Sequence, residues 1–223
     1  MAKKKEWREG EMILTFKLQK TDRPYTKVMA EWLDAALPEL NDSEQYMFDK
    51  TYKKELKKLQ YWSEENLKMQ FISPVLELGQ ILDSDNFVSF FDKSLEGEYD
   101  GYRLSVKADF VVGNGLLDYI QTPYFHFQAG GVPQYKPNRN PTGDPMAQLL
   151  EAFLIGQTAN LKDNINFPLY GCEIVGAYWR FVTMENRTYC VSKTYDCTDR
   201  DDLLHIIAIL RKFREILETQ LLK

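Results

Sequence analysis

The sequence predicts a mixed α/β (α+β) fold in which one mixed central sheet is flanked by helices. Apolar residues recur at helical spacing in three segments: Leu67, Phe71, Val75, Leu78 and Leu82; Met146, Leu149, Leu150, Phe153 and Leu154; and Leu203, Ile206, Ile207, Leu210, Phe213 and Leu217. Between them lie runs rich in β-branched and aromatic residues, bounded by turn pairs such as Asp100-Gly101 and Glu185-Asn186. From Ser63 onward the order is helix, three strands, helix, two strands, helix, which buries both faces of one sheet.

MILTFKL, Met12 to Leu18, reads as a short strand. Pro24 opens a helix that runs to Leu37 and is stopped by Pro38, and SEQYMFDKTYKKELKKLQY continues as a second helix from Ser43 to Tyr61. Its lysines, Lys53, Lys54, Lys57 and Lys58, form a face that is either solvated or turned to phosphates. Ser63 is the N-cap of the next helix, with Glu64 and Glu65 in its first turn and Pro74 set to bend or divide it. FVSFF, then Tyr102 to Val112, then Tyr119 to Gln128 are strands, and VPQYKPNRNPTGD is a loop. Asp144 caps a helix that has Pro145 at its first position. CEIVGAYWRFVTM and TYCVSKTY read as two strands, and DRDDLLHIIAILRKFREILETQLLK is a helix with an acidic start. Residues 1–62 form an N-terminal strand and helical extension, and residues 63–223 the core domain.

Composition narrows the function. With 44% hydrophobic and 27% charged residues the chain is an ordinary globular one, and no run approaches the roughly 20 apolar residues of a membrane span. Its positively charged start has no apolar segment behind it and its three cysteines are widely spaced, so a cytoplasmic protein with reduced thiols and no membrane partner is expected. Residues 71–223 carry 14 Lys and Arg against 20 Asp and Glu, a net of −6, so a broadly basic nucleic-acid face is excluded. Phosphate would have to be met by a local patch or through a metal ion.

The chain has no Gly-rich phosphate loop, no G-x-S-x-G elbow and no H-E-x-x-H helix, and its two histidines leave little room for a triad. Carboxylate chemistry remains. Asp109 sits among Ala108, Phe110, Val111 and Val112, where a charge needs a metal, a cation or strong hydrogen bonds. Lys107 is taken to face away from it. A structural Asp bonded to backbone is the plain alternative.

The segments WSEENLKMQFISPVLEL, KADFVV, PYFHFQ, GDPMAQLLEAFLIGQ and PLYGCEIVGAYWRFV, in this order, resemble the restriction-endonuclease-like PD-(D/E)XK nuclease superfamily between about Ser63 and Asp196. The resemblance implies a restriction-endonuclease-like core and a divalent cation, Mg²⁺, held by an Asp and by a Glu on the next strand. A Lys two residues after that Glu would assist the attacking water. Carried over, the metal ligands are Asp109 and, from the first helix, Glu65, while Gln148 on the later helix supports substrate or water. The E-x-K triplet falls on Ala129-Gly130-Gly131, which has neither group. Lys136, in a Gln134-x-Lys136 arrangement, or Glu151 could supply a migrated replacement, and Tyr124, His126 and Gln128 could line a substrate groove.

Three functions follow. One is a nuclease-like protein that has lost cleavage and binds nucleic acid or protein, with no cofactor. Another is an active Mg²⁺-dependent DNA phosphodiesterase using Asp109, Glu65 and Lys136. The last is an interaction module unrelated to nucleic acid, with a protein partner or a homodimer contact.

Overall fold

The computed structural model describes residues 6–55, 63–82, 84–114, 122–130, 144–162 and 164–221, without the side chains of 54, 55, 64, 114, 122–130, 220 and 221. It is a mixed α/β structure built on one eight-stranded mixed sheet.

Helix α1 (Glu9–Phe16) replaces the strand expected at Met12 to Leu18. Met12 and Phe16, four apart, are both fully buried, while Leu14 is 82% exposed. The spacing of the buried pair is helical, and Glu11 Oε2 accepts from Arg8 N at 3.1 Å to close the first turn. Strand β1 (Gln19–Thr21) follows directly. Helix α2 (Lys27–Leu33) starts at a Thr26 cap and is shorter than the span Pro24 to Leu37, and α3 (Asp42–Lys50) is capped by Asn41. A π-helical turn, Thr51–Glu55, extends α3; the remainder of that expected helix, with Lys57 and Lys58, lies outside the described residues.

From Ser63 the chain forms α4 (Glu64–Leu67), a π-helical turn (Lys68–Ile72) and α5 (Ser73–Leu78). Asn66 N donates to Ser63 Oγ at 3.3 Å, so Ser63 is the N-cap. Pro74 falls in the first turn of α5, after the π turn, where its missing N–H costs least. Strands β2 (Val88–Tyr99), β3 (Tyr102–Asn114) and β4 (Thr122–Gly130) make an antiparallel meander. Helix α6 (Pro145–Lys162) crosses over to β5 (Leu169–Val175), which pairs parallel to β4.

The segment from Cys172 to Met184, read as one strand, is two. Gly176, with φ of 61°, turns β5 back into β6 (Tyr178–Glu185) as an antiparallel hairpin. Strand β7 (Thr188–Val191), the short β8 (Tyr195–Asp196) and α7 (Arg200–Ile216), capped by Asp199, complete the chain, with a final π turn at Leu217–Leu221. The main sheet order is β1-β7-β6-β5-β4-β3-β2, so the N-terminal extension contributes an edge strand to the same sheet.

Two apolar layers cover the sheet. One joins α1 and α6 to Leu104, Val106, Ala108, Val111, Val182 and Met184. The other joins α2, α3, α5 and α7 to Phe110, Val112, Cys172, Ile174 and Phe181. Full burial of each large apolar side chain contributes about 1.5–3 kcal/mol. Among the described residues, no helix is long and apolar enough to cross a membrane.

Candidate functional site

The candidate site lies where α4 meets β2 and β3. In β3, Leu104, Val106 and Ala108 belong to the α6 layer, but Phe110 and Val112 belong to the α7 layer. A regular strand keeps even positions on one face, so the alternation slips by one residue at Asp109. Across the ladder, Phe91 pairs with Phe110 and Lys93 with Ala108, while Asp92 between them adopts φ of 54°. Asp is among the few side chains that enter this left-handed region readily.

This irregularity brings Asp109, which is buried, against the ammonium of Lys68. Lys68 also contacts Asp92 Oδ1 at 3.4 Å, and Lys107 Nζ lies 3.3 Å from that oxygen. Lys107 therefore faces the same side as Asp109, as residues two apart in a strand do, and the expectation that it faces away is corrected. Lys68 is the first residue of the π turn, where Ser73 N–H reaches back five residues to the Lys68 carbonyl.

Partial burial disfavours the charge of Asp92, but the ammonium groups of Lys68 and Lys107 outweigh it and hold its pKa below the usual carboxylate value. Glu65 is exposed, and its carboxyl is held low by its own backbone N–H and by the Ser63 hydroxyl. The charges of Lys68 and Asp92 reach it as well, so Glu65 stands at the rim of the same cluster.

The structure thus joins Asp109 and Asp92 through Lys68, while Glu65 makes no direct contact with Asp109 among the interactions described and feels the charges of Lys68 and Asp92. Gln148 is half-buried on α6, in the layer across the sheet from α5 and α7. Glu151 is buried on the same helix and accepts from Ser105 N at 2.8 Å, four residues before Asp109 on β3. The backbones of Tyr124, His126 and Gln128 lie in β4, with side chains outside the description, and Lys136 lies outside the described residues. Ala129 and Gly130 end β4, pairing with Ile174 and Val175 of β5.

A divalent cation between Asp109 and Glu65 does not fit this arrangement. The Lys68 ammonium holds the Asp109 carboxylate, and Glu65 is turned to Ser63. Among the described residues, no three His, Cys, Asp or Glu side chains converge as a metal-ligand set.

A second buried carboxylate lies on the α6 side. Glu173 of β5 accepts from Arg180 Nε of β6 at 2.6 Å, directly across the hairpin. Burial raises its pKa, against the pull of Arg180, and the charges of Glu9 and Asp144 add to the rise. Glu9 is tied to Tyr189 Oη at 2.8 Å and to Lys20 Nζ at 2.9 Å, and its N–H donates to Asp144 Oδ2 at 2.9 Å.

Sequence reasoning missed Lys68, Asp92 and the Glu173–Arg180 pair. Lys68 carried a signal: it is the sole Lys or Arg between Ser63 and Leu82. No protein-family model matches the chain, and no curated protein matches it.

Proposed function

We propose that the chain is a nuclease-like domain of restriction-endonuclease-like build that does not cleave and acts by binding, with nucleic acid as the partner its resemblance implies. The observation that carries the reading is the Lys68 ammonium held against Asp109. Asp109 is the carboxylate that would bind the metal, and the strand that would provide the E-x-K pair ends in Ala129 and Gly130 instead. The chain order supports the ancestry: a helix, a three-strand meander, a crossover helix and a strand parallel to the last of the meander.

The Lys68 ammonium cannot act as a Lewis acid, because it offers no open coordination position and does not activate a bound water. In this arrangement the Lys68 ammonium neutralises Asp109 in the place a metal ion would take.

An interaction role toward another protein is the second reading. Glu65, Asp92 and Asp109 outnumber Lys68 and Lys107 at the site, which disfavours a phosphate there. Met69 and Phe91, next to Lys68 and Asp92 in sequence, are 69% and 47% exposed.

Two assays test the proposal together: nicking of supercoiled plasmid in Mg²⁺ or Mn²⁺, and fluorescence anisotropy with labelled single- and double-stranded DNA. Binding without nicking is expected. Nicking lost in Asp109→Ala would establish the active phosphodiesterase instead, and neither binding nor nicking would leave the protein partner as the better reading.

A further inference from the structure

We infer that residues 93–99 of β2 and 102–108 of β3 form a ribbon arm that closes over α6 and opens as one unit, hinged at Asp92 and Asp109 and clasped by Arg187. The inference stands on strand pairing and packing, and it needs neither a metal nor the nuclease-like reading.

Strand pairing sets the arm apart. Among the described residues, β3 pairs with β4 only from Phe110 to Asn114, and beyond that point Gln128, Ala129 and Gly130 of β4 pair with β5 alone. Residues 102–108 of β3 therefore have β2 as their one strand neighbour among the described residues. The β2–β3 ladder skips a single position, where Asp92 lies opposite Asp109. Asp92 has φ of 54° and the side-chain alternation of β3 slips at Asp109, so the backbone turns where the ribbon leaves the sheet. A few residues that absorb backbone rotation are what a hinge requires. Lys68 joins the two aspartates at this root and ties it to the π turn after α4.

A two-stranded ribbon is marginally stable by itself in water, so the arm is held by what it packs against. Every residue of α6 from 149 to 156 is buried, about two turns, and one flat sheet cannot cover a helix all round. The arm completes the cover. Leu95, Leu104 and Val106 pack in the α6 layer, Ser105 N donates to Glu151 Oε1 at 2.8 Å, and a Cβ at Gly97 would lie 3.2 Å from Ile155 Cγ2. At the tip, Arg187 donates to Asp100 Oδ2 at 2.8 Å and to the Phe16 carbonyl at 2.9 Å, with its guanidinium over the Tyr99 ring. The Arg187–Asp100 pair is exposed at both ends, so this clasp is weak. Releasing it and the α6 contacts frees the arm while the ladders from β4 to β7 stay paired, which is opening below the level of global unfolding. The strip of α6 around Glu151 and Ile155 is uncovered only in that open state.

The test is hydrogen exchange of the whole protein, followed amide by amide by NMR at a series of sub-denaturing urea concentrations. In wild type the paired amides of residues 93–99 and 102–108 should share one opening free energy, lower than that of β5 and of residues 88–91 and 110–112, with a step at Asp92 and Asp109. Arg187→Ala should speed exchange in the arm about tenfold and leave β5 and α7 unchanged, and Gly97→Val, which forces the ribbon off Ile155, should do the same. Arm amides that exchange only together with β5 would overturn the inference, because the arm would then open only when the sheet unfolds. Protection that falls smoothly from Val88 to the tip would overturn it as well, since that is fraying without a hinge. So would an Arg187→Ala protein in which arm and sheet speed up alike. The wild-type comparison needs no variant to fold, and none of these outcomes depends on DNA binding or nicking, so this inference and the non-cleaving reading fail separately.

Discussion

Two buried carboxylates in one sheet are neutralised in different ways. Asp109 has a side chain 6% exposed and meets Lys68, 15% exposed, which arrives from a helix and is shared with Asp92. Glu173 has a side chain 5% exposed and meets Arg180, 37% exposed, its own cross-strand neighbour in a hairpin. The Asp109 pair is a tertiary contact largely withdrawn from water. The Glu173 pair is a local contact whose cation remains half in solvent. Water can replace much of what Arg180 supplies and little of what Lys68 supplies, so the two pairs should differ in cost when broken.

The largest effect tests this directly. Lys68→Met should destabilise the fold by about 3–5 kcal/mol by leaving a buried carboxylate without its ammonium, and adding Asp109→Asn should recover most of the loss. Urea denaturation of both variants measures it, and a Lys68→Met cost below that of Arg180→Met would erase the distinction. Arg180→Met should cost less, about 1–3 kcal/mol, by the same measurement.

Glu173 should also show itself in pH dependence. Its folded pKa is raised above its ordinary value near 4.5, so the folded state binds that proton more tightly than the unfolded chain. The stability this group contributes is complete below that ordinary value and is lost as pH rises through the raised one. Glu173→Gln should therefore gain stability relative to wild type as pH rises over this window, and chemical denaturation across it would show identical profiles if burial did not act on Glu173. The smallest effect is the control: Arg103→Ala, breaking the exposed pair with Glu96 at 2.9 Å, should change stability by no more than about 0.5 kcal/mol.

The same contrast explains what could be read from the chain. Helix α7 was legible because Leu203, Ile206, Ile207, Leu210 and Phe213 repeat at helical spacing and Asp199 caps it, all local information. Strands β2 and β3 were legible around the Asp100-Gly101 turn for the same reason. Met12 to Leu18 misled because its apolar run is short, and only burial of Met12 and Phe16 under the sheet decides for a helix. The hairpin at Gly176-Ala177 was hidden because β5 and β6 are both strongly apolar and their turn lacks the polar residues that usually mark one.

At the candidate site, Asp109 was legible as a charge in apolar surroundings, but its partner was not. Lys68 lies 41 residues away, and the contact needs the slip in β3, the turned backbone of Asp92 and the π turn together. None of these leaves a periodic trace. Asp92 itself reads as an ordinary polar residue beside FVSFF.

The most direct measurement of the central claim is the ¹⁵N resonance of the Lys68 side-chain ammonium, followed while Mg²⁺ is added to the wild-type protein. The account predicts a protected signal, assigned by its loss in Lys68→Met, that stays fixed through the titration because the ammonium keeps Asp109. A signal that shifts or exchanges away as Mg²⁺ is added would show the metal displacing Lys68, and the site would then be an ion-binding one.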